Sequence, residues 1–280
     1  MQSIHLKEAN AKEYDRRMAE PDEQRSPFAA SIDFSARPPL RVFALEEVEQ
    51  ILAAHRLYLE TGRREGRRAN FASADLSGID FSKLDLRRIK MDRAALRGAD
   101  LRDANLQGAN LIGAVLEQAR LDNADLSGAR LSGANLVSAS LENARLVHAQ
   151  MEFALMVKAI CRGALLSEAD MSGVILDGAV LTRAELRSAN LRGAAMTDAR
   201  LDEVDLRGAR LGGACLVGAS LRGADLCGAY LRLARLDGAD LSGANLDGTE
   251  GLTQAQLGRA QGIARMTLSE NLRRSEDGKG

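Results

Sequence analysis

The sequence predicts a solenoid, and three observations carry that reading. From Phe71 to Leu246 a large residue returns at every fifth position without a slip, through Leu76, Phe81, Leu86, Met91 and Leu96 to Leu236 and Leu241. Two residues before each of these 36 positions stands a smaller apolar residue, Ala in 31 cases, so two positions per repeat face inward. The second residue after the large one is Gly in 18 repeats, a turn signal at a fixed place. A period of five suits neither a helix, where residues five apart drift around the surface, nor a continuous strand, where odd spacings alternate faces. The chain must therefore turn once per repeat, and repeats of that kind stack into a solenoid.

The residue choices fit a narrow aliphatic tube. The large positions hold 28 Leu, five Met, two Phe and Cys161, while the whole chain is only 3% aromatic with no Trp. Each Leu buried in such a ladder contributes roughly 1.5–3 kcal/mol. Ala at the other inward position keeps the tube closed, since converging ladders leave little room there. Asp and Asn, common just before the large residue, suit corners because their side chains bond nearby backbone groups.

Stretches such as Ala99-Asp100-Leu101, Ala104-Asn105-Leu106 and Ala244-Asn245-Leu246 show the unit plainly. Over residues 69–250 the chain resembles the pentapeptide-repeat family, whose motif is A(D/N)LXX. The resemblance implies an all-β fold, a right-handed quadrilateral β-helix with four pentapeptides per coil. On that basis 36 repeats make about nine coils, a rod roughly 43 Å long at about 4.8 Å between strands.

The flanks read differently. Residues 1–40 hold all four prolines (Pro21, Pro27, Pro38, Pro39) and are expected to form a flexible arm, with a short charged helix near 6–19. In 41–68 a helix and linker are expected: Leu45, Val48, Leu52 and Leu59 share one face with Ile51 and Tyr58 beside it. Glu46, Glu47 and Glu49 occupy the first turns, and Gly62 follows the end. A solenoid end exposes an open ladder and an apolar mouth, so this helix is the expected N-terminal cap. For 251–272 a helical C-terminal cap is expected, opened by a capping box at Thr253-Gln254-Ala255-Gln256 and stopped by Gly262. Leu252, Leu257 and Ile263 would cover the last coil, and 273–280 would be a disordered tail.

Composition excludes several classes. Net charge is −1, and no run approaches the roughly 18–20 apolar residues of a membrane span. The N-terminal stretch is too charged for a signal peptide, and three cysteines give no disulfide framework, so a cytoplasmic protein is expected. His5, His55 and His148 are scattered; His55, in the cap helix, reads as packing. Cys161 takes an inward position and reads as core, while Cys215 and Cys227 point outward with no histidine or CxxC partner. No phosphate-binding glycine motif is present. No cofactor, metal site or catalytic residue is expected.

The outward positions hold what remains. With 20 residues per coil, one column reads Ala95, Val115, Asn135, Leu155, Ile175, Ala195, Cys215, whereas the other three are mainly Asp, Asn and Arg. Around mid-rod this apolar stripe broadens to Phe153, Val157, Ile160, Leu165 and Val180, and Val137 and Val217 extend it. An exposed apolar patch on a polar solenoid marks a contacting surface. The expected function is a non-enzymatic scaffold that binds a protein, either a foreign partner or a second copy of the chain. The alternative is a DNA-mimicking regulator of a type II topoisomerase such as DNA gyrase, as the family resemblance allows. Mimicry needs dense negative charge, yet residues 69–250 carry 24 acidic and 21 basic side chains. Arg120, Arg130, Arg145, Arg200, Arg210 and Arg235 even stand where Asp or Asn usually does. No basic face or aromatic platform appears, so direct nucleic-acid binding is not expected.

Overall fold

The computed structural model of the protein describes residues 40–263 and 267–268. The arm, its helix near 6–19 and the tail 273–280 lie outside the described residues. Through the repeats, each residue just before a large one pairs in parallel with the residue 20 positions on: Asp75 with Ala95, Ala95 with Val115, Val115 with Asn135. Residues five apart therefore enter different ladders, and the outward positions sort into four sides. Side one runs from Asn70 to Glu250, side two from Asp75 to Arg235, side three from Asp80 to Asp240 and side four from Asp85 to Asn245.

One repeat shows how the chain turns. Leu96 N donates to Val115 O at 2.7 Å and Gly98 N to Glu117 O at 2.9 Å, which ties one turn of the solenoid to the next. Ala99 N then donates back to Leu96 O at 3.1 Å, closing a β-turn at the corner. The third residue of that turn, Gly98, has φ of 58°, and the equivalent residue has positive φ in every repeat from Ser73 to Gly248. Glycine is favoured there because it has no Cβ to clash, yet half the repeats tolerate Ser, Asn, Asp or longer side chains.

The Asp/Asn slot is not at the corner, as the sequence suggested. It lies on the ladder, and its side chain reaches forward to the corner backbone: Asp125 Oδ1 accepts from Ser127 N at 2.9 Å and Asp170 Oδ1 from Ser172 N at 3.0 Å. The hydrogen-bonding role holds; its position is one step earlier.

Inside, the Leu and Ala ladders form one continuous core reaching from Val48 to Leu257. Larger residues replace Ala chiefly at the N-terminal mouth, where Ile79 and Ile89 are buried and Leu84 packs against them. There β1 (Arg41–Val42) adds to side two by pairing in parallel with β2 (Ala74–Asp75). Helix α1 (Leu45–Glu60) follows and lays Val48 and His55 on the mouth, with Ile51 and Leu52 partly buried beside them. Phe43 meets Phe71 edge-on at 5.5 Å. Gly66 allows the return loop to press on the helix, where a Cβ would stand 2.2 Å from Ala54 O.

At the other end the ladder reclaims the chain sooner than expected. Helix α2 (Gln254–Leu257) is a single turn, opened by the capping box in which Thr253 Oγ1 accepts from Gln256 N at 3.3 Å. Gln256 also donates to Leu231 O and Ala234 O, fixing that turn on the last coil over buried Leu257. Gln261 then rejoins side three, its N–H bonding Ala239 O at 2.7 Å. Gly262 does not stop a helix; it lies so close on Ser242 that a Cβ would meet Oγ at 2.2 Å. After it β4 (Thr267–Leu268) pairs with β3 (Asn245–Leu246) on side four. Open ladder groups on sides three and four take up the chain in place of a longer helix.

Candidate contact surface

The predicted stripe is built by the side-two ladder, which brings Ala95, Val115, Asn135, Leu155 and Ile175 over one another in sequence. Val137, Val157 and Val217 belong to the same side, each two residues beyond its ladder position and half-buried. Ile160, Leu165 and Val180 do not. Ile160 pairs with Val180 on side three, and Leu165 stands between Arg145 and Glu185 on side four. Each pentapeptide turns the chain by one side, so residues 155, 160 and 165 form an apolar belt around the rod rather than a broad stripe.

The stripe is also less exposed than expected. Val115 and Leu155 are only 3% and 5% accessible, because neighbouring turns and the flanking outward row close over the ladder. Asn135, 6% accessible, sits between them; its Nδ2 donates to Glu117 Oε1 at 2.5 Å and its Oδ1 accepts from Val137 N at 3.1 Å. Glu117 in turn holds Arg97 at 3.1 Å. The residue that stands out is Phe153, 71% exposed at the corner between sides one and two. Sequence reasoning missed its counterpart. Leu233, 73% exposed, occupies the same corner four turns on, with Gly173, Gly193 and Gly213 between. The signal was the 80-residue separation, a whole number of turns.

Ion pairs and hydrogen bonds hold many of the charges on the rod, such as Arg102 with Asp100 and Arg162 with Glu142. Burial pushes the Asp205 carboxyl up, but hydrogen bonds from Arg207 and Arg187 win and bring it down to about 2. Hydrogen bonds from Ser242, side chain and backbone, and from Arg222 hold Asp240 at about 2. His55 is buried on helix α1, accepts at Nδ1 from Ala69 N at 3.2 Å, and burial lowers its pKa. Burial pushes the Cys161 thiol up to about 12, which suits a core residue rather than a nucleophile. Asp237, in the hollow beside the C-terminal turn, is engaged by Arg235 and Arg259. Among the described residues no group of three His, Cys, Asp or Glu is placed to hold a metal, and no helix is long and apolar enough to cross a membrane.

The family model for pentapeptide repeats matches in eight copies, over residues 67–103, 99–136, 134–173, 144–183, 184–223 and 214–250. The chain belongs to the pentapeptide-repeat family. Solved pentapeptide-repeat proteins resemble it. HetL, involved in heterocyst differentiation regulation in the cyanobacterium Nostoc sp., is 31% identical over 75% of this chain and 93% of its own, with a TM-score of 0.40. A pentapeptide repeat protein from the Arabidopsis thaliana thylakoid lumen is 31% identical over 35% of this chain and 67% of its own, with a TM-score of 0.33. QnrB1, a plasmid-mediated fluoroquinolone resistance protein, is 20% identical over 73% of this chain and 92% of its own, with a TM-score of 0.37. No curated protein matches the chain.

Proposed function

We propose that this pentapeptide-repeat protein is a non-enzymatic, cytoplasmic scaffold that binds a protein partner along its outward sides. The scaffold is a right-handed quadrilateral rod of about nine coils with helical caps, a reading supported by the 20-residue pairing and its four ladders. One observation carries the binding surface. Phe153 projects at mid-rod, beside the belt of Leu155, Ile160 and Leu165, on a surface whose outward residues are mainly charged, polar or glycine. Exposed aromatic anchors of this kind are where binding energy concentrates. The topoisomerase reading has less support, because arginines from the same repeats neutralise many of the carboxylates that would have to stand in for phosphates.

Affinity capture from a native lysate tests the proposal, comparing the wild type with Phe153→Asp and with Ser138→Asp as an exposed control. The expected result is a protein retained by the wild type and the control and lost with Phe153→Asp. Identical captures by all three would remove the surface.

A further inference from the structure

Side one uses its charges unlike the other three. Ion pairs line the other sides, such as Arg97–Glu117 on side two, Arg102–Asp100 at 2.5 Å on side three and Arg207–Asp205 at 2.7 Å on side four. On side one, from Asn110 to Glu250, no charged side chain has an ion pair among the described residues. Arg130, Asp170, Arg210 and Glu250 stand in its ladder, and Glu152, Arg192 and Arg232 in the adjoining outward row.

These charges invert in sign about Asn190. Asp170 lies one turn before it and Arg210 one turn after; Arg130 lies three turns before and Glu250 three turns after. In the adjoining row Glu152 and Arg232 lie two turns either side of Arg192. The corner beyond repeats the symmetry with apolar groups, placing Phe153 and Leu233 two turns either side of Gly193. At the opposite corner the bulky His148 and Glu168 have Gly228 and Gly208 as their mirror positions.

Asp170 accepts hydrogen bonds from Ser172 and Asn190, and Glu152 from Ser132, but among the described residues none of these charges meets an opposite charge on its own chain. The pattern matches a second copy laid antiparallel across a two-fold axis. We propose that the protein forms an isologous antiparallel dimer through side one, with the axis at Asn190 and Gly193. Asp170 then meets Arg210 of the other copy, Arg130 meets Glu250 and Glu152 meets Arg232, each pair occurring twice. Phe153 packs on Leu233 of the other copy at both ends, and Gly193 between them, with nothing within 4 Å of an added Cβ, leaves the two backbones free to approach. Arg192 meets its own copy on the axis, the one like-charge contact; Asp170 of each chain, one turn away, draws the two guanidinium groups apart. Six turns span about 29 Å and five residues of width about 16 Å, so the two copies bury on the order of 900 Å² together. That is close to the lower bound of about 1,000 Å² for a specific interface, which makes the dimer concentration- and salt-dependent. The inference rests on the scaffold reading and supplies one partner for it.

Sedimentation equilibrium tests it with the full chain. The wild type should pass from monomer to dimer below about 100 µM at low salt and dissociate near 1 M salt. Asp170→Arg should weaken association by about tenfold or more, and Asp170→Arg with Arg210→Asp should restore it to within about threefold. In a Cys215→Ser, Cys227→Ser background, Gly193→Cys should form an intermolecular disulfide and Gly133→Cys should not; neither glycine has an atom within 4 Å of an added Cβ. A wild type that stays monomeric, or a folded double variant that fails to restore association, overturns the dimer. A monomer that still captures a protein in a Phe153-dependent way removes the dimer and leaves the scaffold standing. A dimer without such capture removes the foreign partner instead.

Discussion

The Phe153 ring lies in the space beside Gly173 of the next turn: a Cβ on that glycine would stand 2.6 Å from ring carbons Cδ1 and Cε1. The glycine is therefore a seat for the aromatic ring as well as a corner residue with φ of 65°. Gly173→Ala should cost about 1 kcal/mol for the positive φ and more for displacing the ring. In a Phe153→Ala background only the first part should remain. Gly193→Ala, with nothing within 4 Å, should likewise show the backbone part alone. Urea midpoints of the four variants decide it; additive losses at 153 and 173 would mean the ring is not seated there.

Much of this fold could be read from the sequence because the repeat states its own period. Phe71 to Leu246 gave the inward ladder, and Gly98 and its equivalents gave the corner. One thing was not legible: whether Leu155 is exposed depends on how tightly adjacent turns close over a ladder, which no spacing in the chain expresses. The side each residue joins does follow from the period, which sets Ile160 and Leu165 one and two sides on from Leu155 although all three are apolar. At the C-terminal end the capping box at Thr253 correctly marked a helix start. Its length was set by the unsatisfied ladder at Ala239, a tertiary effect that overrides local signals.

Acid stability should follow the paired carboxylates. Asp205 and Asp240 titrate near 2 in the folded rod against an ordinary 3.8. Their contribution is complete above pH 3.8 and is lost as the pH falls toward 2, because the unfolded chain takes up protons first. Asp205→Asn should make stability less steep in pH across that window and leave its slope near neutrality unchanged. An unaltered slope in acid would show that Arg187 and Arg207 do not hold the carboxylate in solution.

Thiol labelling should separate the cysteines. Cys161 is fully buried with its thiol near 12, whereas Cys215 and Cys227 are half-buried on the outside. The native protein should modify at Cys215 and Cys227, and Cys161 should react only on denaturation. Rapid native labelling of Cys161 would place it outside the core.

A supercoiling assay addresses the competing function. At micromolar protein neither inhibition nor protection of DNA gyrase is expected, because a rod with 24 acidic and 21 basic residues over 69–250 lacks phosphate-like charge density. Clear protection would promote the topoisomerase reading over the scaffold.

Everything above depends on the assignment of inward and outward positions, and a single pair of variants tests it. Leu136 is wholly buried in the tube, and Ser138, two residues on, is exposed at a corner with φ of 55°, which Asp tolerates. Placing the same carboxylate at both sites isolates position from chemistry. Leu136→Asp buries a charge without a partner and should cost several kcal/mol, while Ser138→Asp should cost under about 0.5 kcal/mol. In a urea titration followed by circular dichroism, a large fall in the midpoint for Leu136→Asp beside a near wild-type curve for Ser138→Asp is the predicted result. Equal midpoints would contradict the solenoid register and every surface derived from it.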